Sequence, residues 1–128
     1  MGRILTSVTI DNVLDKDKSI RIDALVDTGA TFTVLPSAWK DRLGSFESER
    51  VIERKTAEQR VAKGTLCGPA SLQVEGFPRV YNEVLFLDME SEDGHYEPLI
   101  GYVVLEQCGA AVDMLGHRLV PLHYLDLK

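Results

Sequence analysis

The longest uninterrupted run of apolar residues in this 128-residue chain has only four members, from Val84 to Leu87. Such a run is too short to cross a membrane as a helix, which needs about 20 consecutive apolar residues. The first ten residues, MGRILTSVTI, also lack the apolar core of a signal peptide. We therefore expect no membrane partner and a cytoplasmic location.

Short extended runs separated by turn residues make up most of the chain. In residues 19–26 the side chains of Ile20, Ile22, Ala24 and Val26 occupy alternate positions, as in a strand with one buried face. The other predicted strands lie at 3–10, 31–35, 110–114 and 118–122, with a charged turn at 11–18. Three or four more strands are predicted between 50 and 88, with breaks at Gly64, Gly68-Pro69 and Gly76-Phe77-Pro78. The predicted helices are a short one within 36–44 and one at 102–108 ended by Gly109. This pattern predicts an all-β barrel or sandwich. Since no linker or repeat interrupts it, we expect a single domain over 1–128.

Charge and metal-binding residue types exclude several classes of function. Fourteen basic against twenty acidic residues give a net charge of −6, which repels phosphate backbones, so nucleic acid is not an expected partner. Cys67 and Cys108 lie far apart in the sequence, and we interpret both as reduced, buried residues. The three histidines, His95, His117 and His123, lack the spacing of a zinc site. We predict no metal.

An acidic residue follows a run of apolar residues at Asp27, in the sequence Ala-Leu-Val-Asp-Thr-Gly-Ala over 24–30. A carboxylate at the end of a buried strand raises the free energy of the fold unless it is hydrogen-bonded, paired or used in chemistry. A structural explanation is a turn in which Asp27 accepts backbone N–H bonds and Gly29 supplies an unusual dihedral angle. A catalytic role is the other explanation, and this window alone leaves both open.

Two linked motifs resemble those of the retropepsin-like aspartic proteases, single-domain enzymes that assemble as homodimers. The first motif is Leu25-Val26-Asp27-Thr28-Gly29-Ala30, and the second is Leu99-Ile100-Gly101 before the predicted helix. The stretch after Pro98 looks most similar to the small soluble bacterial members. The resemblance, which covers about residues 3–121, implies a closed β-barrel with one or two short helices and one D-T-G lobe per protomer.

The resemblance also implies a mechanism. Asp27 and its copy in a second protomer would share one proton, because two adjacent carboxylates do not both ionise readily. Together they would activate a water molecule to attack a peptide bond. Thr28 would join the two loops across the dimer axis, and Gly29 would keep the backbone close to an extended peptide substrate. A hydroxyl at position 30 would favour the ionised carboxylate, whereas the methyl of Ala30 cannot, so we expect an optimum nearer neutral pH. No cofactor is implied.

Two regions depart from the retroviral pattern. The resemblance implies a flap between the two motifs, and our candidate is the polar segment Thr56, Ala57, Glu58, Gln59 and Arg60, where retroviral flap tips are rich in glycine. Tyr102 stands where retroviral members often carry an arginine that stabilises the dimer. Both departures bear on how the flap closes and how two protomers meet.

Two alternatives accompany the peptidase interpretation. A catalytically silent barrel of the same fold would bind extended peptides or mediate dimerisation, since a fold does not fix a function. The chain could also be a processed fragment of a larger retroelement polyprotein, although the initiating Met favours a separate protein. An Asp27→Asn variant distinguishes the enzyme from the silent barrel.

Overall fold

The computed structural model describes residues 3–55, 61–89 and 94–122. Within these ranges, strands dominate and the helices are short. The strands are β1 (Leu5–Asn12), β2 (Asp15–Val26), β3 (Thr33–Pro36), β4 (Ser48–Lys55), β5 (Val61–Val74), β6 (Val80–Leu87), β7 (Leu99–Ile100), β8 (Ala110–Asp113) and β9 (Arg118–Pro121). The helices are a 3₁₀ turn (Ser37–Trp39), α1 (Lys40–Leu43) and α2 (Tyr102–Cys108). None of the described helices has the length and apolar character needed to cross a membrane.

Six of these strands close into a barrel. Their order is β1-β2-β7-β3-β6-β5, and β5 returns to β1 through antiparallel pairs from Val8↔Val74 to Asn12↔Ala70. Strand β4 lies outside this ring and pairs with the first half of β5, from Ser48↔Gly68 to Lys55↔Val61. The predicted all-β closed barrel with two short helices is therefore confirmed.

Two of the predicted breaks in the segment 50–88, at Gly64 and at Gly68-Pro69, are wrong, because β5 runs through them as one strand of 14 residues. The third predicted break, at Gly76-Phe77-Pro78, is confirmed and lies between β5 and β6. A Cβ atom at Gly64 would lie 2.5 Å from the Leu87 side chain, so this glycine serves a close approach of β5 and β6. At Gly68-Pro69, a cis peptide, the register with β6 shifts between Cys67 and Ala70. The strand accommodates this irregularity as a bulge and does not end.

The predicted charged turn at 11–18 is too long. Asn12 pairs with Asp15, so only Val13 and Leu14 connect β1 to β2, and the charged residues after them belong to β2. These charged side chains are exposed, so the extended hairpin carries them without burying charge.

The alternation in β2 packs one face of the strand against the core. Ile20 and Ala24 are buried, and Ile22 and Val26 are partly buried against the same cluster. Cys67 and Cys108 are free and buried, as predicted. Burial raises the pKa of the Cys67 thiol to about 11, which keeps it protonated and unreactive at neutral pH.

The α1 region is anchored by polar contacts. The buried Asn12 side chain donates to the carbonyl oxygens of Leu43 and Ser45, both at 2.7 Å. Glu49 on β4 accepts from Lys40 Nζ at 2.8 Å and, through its other oxygen, from the Phe46 N–H at 2.8 Å. The Lys40 bond, followed by the Phe46 bond, holds the pKa of Glu49 below its usual value.

The predicted helix and the last two strands occur as expected. Helix α2 ends at Gly109, whose left-handed φ of 73° suits a glycine. Strands β8 and β9 pair only with each other within the described residues and form a separate two-stranded sheet. The turn between them is held by Asp113, whose Oδ1 accepts the N–H groups of Leu115 and Gly116 at 3.1 and 3.0 Å.

Candidate active site

Asp27 lies immediately after β2, where the two sequence motifs meet. Strand β7 runs parallel to β2 through the pairs Leu25↔Leu99 and Val26↔Ile100, and the Asp27 N–H donates to the Ile100 carbonyl at 3.1 Å. On its other side β7 pairs with β3. The barrel thus places the two-residue strand β7 between β2, which precedes the Asp27 loop, and β3, which follows it.

Backbone hydrogen bonds fix the shape of the loop over 27–30. The Ala30 N–H donates to the Asp27 carbonyl at 3.2 Å, and the Ala30 carbonyl accepts from the Tyr102 N–H at 2.8 Å. The first of these bonds closes the loop, and the second ties it to the start of α2. Asp27 is partly buried, whereas Thr28 and Gly29 are exposed.

The Asp27 carboxylate is held on one oxygen. The Gly29 N–H donates to Oδ1 at 3.0 Å, the contact of an Asx turn. Among the described residues, no hydrogen bond to Oδ2 is found. The structural explanation from the sequence is therefore right about the turn but wrong about the dihedral angle, since Gly29 is not among the described glycines with a positive φ. One carboxylate oxygen remains available for chemistry.

Gly101 provides the closest approach between the two motifs. A Cβ atom at this position would lie 2.5 Å from the carbonyl oxygen of Phe32, so only glycine fits. The Gly101 N–H faces the hydroxyl of Thr33 at 3.4 Å, and Thr33 is almost completely buried. Sequence reasoning missed Thr33. The available signal was a hydroxyl residue within the otherwise apolar run 32–35.

Two open cavities flank the loop, and Thr28 lines both. The first, of about 350 Å³, contains the Asp27 side of the loop and is lined by Arg3, Ile4, Leu25, Val26, Asp27, Thr28, Val112 and Met114. The second, of about 570 Å³, is lined by Thr28, Tyr102, Leu105, Glu106, Ala110 and Val112. Arg3, which forms an ion pair with Glu97, and Val112 were not among the candidates from the sequence.

The fold gathers two of the three predicted groups of site residues. Asp27, Thr28, Gly29 and Ala30 form the loop, and Leu99, Ile100 and Gly101 lie beside it. The candidate flap residues Thr56, Ala57, Glu58, Gln59 and Arg60 lie outside the described residues. Within the described parts of the chain, no three His, Cys, Asp or Glu side chains form a group that could hold a metal ion.

The fold is similar to that of a retroviral protease. The chain matches the structure of EIAV protease complexed with the inhibitor HBY-793 with a TM-score of 0.63 and 19% sequence identity, covering 88% of this chain and 94% of the other. No protein-family model and no curated protein sequence matches. The bacterial subtype thus stays a prediction from the sequence. The fold is that of a retropepsin-like barrel.

Proposed function

We propose that the chain is an aspartic endopeptidase that hydrolyses extended peptides as a homodimer. The Asp27 loop carries the proposal, because it combines a D-T-G-A sequence at the edge of an open cavity with a carboxylate that, in the described part of the chain, is hydrogen-bonded on one oxygen only. The structural likeness to EIAV protease in complex with an inhibitor supports it.

One chain contains a single D-T-G sequence and hence one such carboxylate. In the proposed dimer, two copies of Asp27 meet and hold one proton between them, because two adjacent carboxylates do not both ionise readily. The ionised carboxylate takes a proton from a water molecule, whose oxygen then attacks the scissile carbonyl carbon. The protonated carboxyl gives its proton to the carbonyl oxygen. Collapse of the tetrahedral intermediate breaks the C–N bond and returns a proton to the leaving amine.

The surroundings of Asp27 suit this chemistry. Gly29 orients the carboxylate through its N–H, and β7 pairs with the last two residues of β2 immediately before Asp27. Thr28 is exposed next to Asp27 and is our candidate for the contact between the two loops. The hairpin of β4 and β5 is our candidate for the flap that covers the substrate, and this assignment includes the segment 56–60.

The experiment compares wild-type protein with Asp27→Asn, which keeps the shape of the side chain and removes the base. Both are incubated with a diverse peptide library from acid to neutral pH, and cleaved bonds are identified by mass spectrometry. We expect cleavage by the wild type alone, with an optimum nearer neutral than acid pH. Cleavage by both proteins would contradict the role of Asp27.

A mixing experiment tests whether two chains share the site. Wild-type protein is dissociated and reassociated with an equal amount of Asp27→Asn protein, so that about one quarter of the dimers contain two wild-type chains. If both carboxylates are required, the activity falls to about that fraction of the value for the same total amount of wild-type dimer. A decrease to one half would mean that each chain acts alone.

A silent barrel that binds peptides is the second candidate. The observation that favours it is the single carboxylate in a single chain, because a monomer of this protein would lack half of the dyad. Folded dimeric wild-type protein that binds but does not cleave the peptides would support this alternative.

A further inference from the structure

Another open cavity lies at the end of β3 that is farther from the Asp27 loop. Its volume is about 440 Å³, and its lining residues come from the end of β3 with the turn after it and from the segment after β6: Pro36, Ser37, Ala38, Asp88, Met89 and Tyr96. The parallel pair Pro36↔Leu87 brings these two segments together. None of the lining residues belongs to the candidate active site, so the proposed chemistry does not account for this cavity.

Asp88 supplies the charge of the cavity. The Ser37 hydroxyl donates to Asp88 Oδ1, which orients the carboxylate. No hydrogen bond or ion pair to Oδ2 is found within residues 3–55, 61–89 and 94–122. Asp88 is exposed, and the other residues that line the cavity carry no charge at neutral pH. The free carboxylate oxygen therefore suits a cationic group that donates a hydrogen bond.

Apolar and aromatic side chains stand beside this carboxylate. Met89 and Tyr96 line the cavity, and both are partly buried. The Tyr96 ring packs against Trp39 with centroids 6.0 Å apart and an angle of 81° between the ring planes, and the Arg42 guanidinium lies 5.6 Å from the Trp39 ring centroid. A guanidinium pairs with carboxylates and also stacks on aromatic faces. An arginine side chain thus matches both chemical features of the cavity.

An apolar cluster connects the cavity to the Asp27 loop. Met89 at the cavity and Leu99 on β7 both pack against one small group of buried residues, which is separate from the main core: Val34, Leu66 and Leu85. Leu99 pairs with Leu25, two residues before Asp27. A peptide that extends from Asp27 over this cluster therefore reaches the cavity.

The length of β3 gives the distance that such a peptide must cover. Thr33, at one end of the strand, faces Gly101 beside the Asp27 loop, and Pro36, at the other end, lines the cavity. Three residue steps along a strand span about 10 Å, and an extended peptide covers the same distance in about three residues. A residue roughly three to five positions from the scissile bond would lie at the cavity.

We propose that this cavity is a subsite for an arginine side chain of the peptide substrate, three to five residues from the bond that is cleaved. The guanidinium donates to Asp88 Oδ2 and packs beside Tyr96. This inference rests on the proposed function, because Asp27 sets the position of the scissile bond. Each protomer of the proposed dimer has one such cavity, so the preference applies on both sides of that bond.

Peptides that share one cleavable sequence test the proposal. Arginine, alanine or glutamate is placed in turn at the third, fourth and fifth positions on each side of the scissile bond. For the wild type we expect kcat/KM to be about fivefold higher with arginine than with alanine at one or more of these positions. The gain should appear as a lower KM with a similar kcat, because a remote contact binds the substrate and the transition state equally. The absence of any arginine preference overturns the inference.

Variants of Asp88 show whether its carboxylate causes the preference. Asp88→Asn removes the charge and keeps an oxygen for the Ser37 hydroxyl, so the ratio of kcat/KM for the arginine and alanine peptides should fall to about one. Asp88→Lys should favour glutamate at the same position, a reversal that a purely structural role would not produce. Asp23→Asn is the matched control, because Asp23 is an exposed carboxylate on β2 that lines none of the three cavities. A ratio that Asp88→Asn does not change, or that Asp23→Asn lowers equally, overturns the inference.

A binding assay separates this subsite from the chemistry. Fluorescence anisotropy gives the dissociation constants of labelled peptides that differ only in arginine or alanine, and Asp27→Asn protein binds them without cleavage. Tighter arginine binding that is lost in Asp27→Asn/Asp88→Asn, for a protein whose wild type cleaves no peptide, would support the subsite and contradict the peptidase proposal. Cleavage that depends on Asp27, with no arginine preference in either assay, would support the peptidase and overturn the subsite.

Discussion

Two loops of this protein, after β2 and after β8, begin with an aspartate at the end of a strand. Their carboxylates differ in the number of hydrogen bonds that they accept. Asp27 accepts one N–H bond, from Gly29, on Oδ1. Asp113 accepts two N–H bonds on Oδ1 and the guanidinium of Arg118 on Oδ2. The Gly116 bond and the Arg118 side chain hold the pKa of Asp113 below its usual value. The comparison teaches that the number of bonds on the carboxylate, more than the presence of an Asx turn, separates a candidate catalytic residue from a structural one.

The same replacement in both loops should give the largest difference. Asp27→Asn removes the base, and we expect kcat/KM for a cleaved peptide to fall at least about 100-fold. Asp113→Asn keeps an oxygen that can accept the two N–H bonds, so we expect kcat/KM within about twofold of wild type. Both are measured at protein concentrations that keep the dimer assembled. Equal losses in the two variants would erase the distinction between the loops.

The glycines of the two loops sharpen the comparison. A Cβ atom at Gly29 would lie 3.3 Å from Asp27 Oδ1, and one at Gly116 would lie 2.5 Å from Asp113 Oδ2. Gly29→Ala should shift the Asp27 carboxylate by a few tenths of an ångström and lower kcat/KM about tenfold, with thermal unfolding close to wild type. Gly116→Ala should displace Asp113 from Arg118 and leave kcat/KM of the assembled dimer nearly unchanged. The opposite pattern would contradict our assignment of roles.

Glu49, on β4 outside the barrel ring, is a further carboxylate of the structural kind. Its two oxygens bond to Lys40 and Phe46, and its lowered pKa means that its stabilisation is present above about pH 4.5 and lost as the pH falls through the folded-state pKa. At pH 7 we expect Glu49→Gln to lower the free energy of unfolding by about 0.5–1 kcal/mol. Glu53→Gln is the matched control on β4, because the Glu53–Lys63 pair is largely exposed. Equal effects in urea denaturation would contradict this reasoning.

The smallest effect concerns the Asp113 turn at low pH. Because the pKa of Asp113 is lowered, its contribution is fully present above the unfolded value near 3.8 and disappears as the pH falls through the folded-state pKa. We expect the amide proton shifts of Leu115 and Gly116 to move together below that pH in NMR spectra and to stay constant at neutral pH. In Asp113→Asn the transition should be absent.

Local patterns in the sequence predicted the parts of the fold that depend on nearby residues. The alternation from Ile20 to Val26 and the end of α2 at Gly109 follow from strand and cap preferences. The side-by-side placement of the Asp27 loop and residues 99–101 came from the family resemblance and could not be worked out from periodicity alone.

Features that depend on distant partners were not predictable. The continuity of β5 through Gly64 depends on its contact with Leu87, and the bulge after Cys67 depends on the register with β6. Glycine and proline predict a break from their local backbone preferences alone. The contacts that let a strand continue through them involve residues that are distant in the sequence. Thr33 was missed for the same reason, since its hydroxyl matters only through Gly101.

The shortness of β7 has a consequence for thermal inactivation. This strand of two residues connects β2 to β3, and on the β2 side its segment is held by bonds such as Leu25 N–H to Pro98 (2.9 Å) and Asp27 N–H to Ile100 (3.1 Å). Segments with few hydrogen bonds open locally before the whole protein unfolds. Strand β7 has the fewest paired residues of the barrel strands, with two pairs to β2 and one to β3. On heating, peptide cleavage would disappear at a lower temperature than the bulk of the β-sheet signal, and the Asp27 amide would be among the first in the barrel to exchange with solvent.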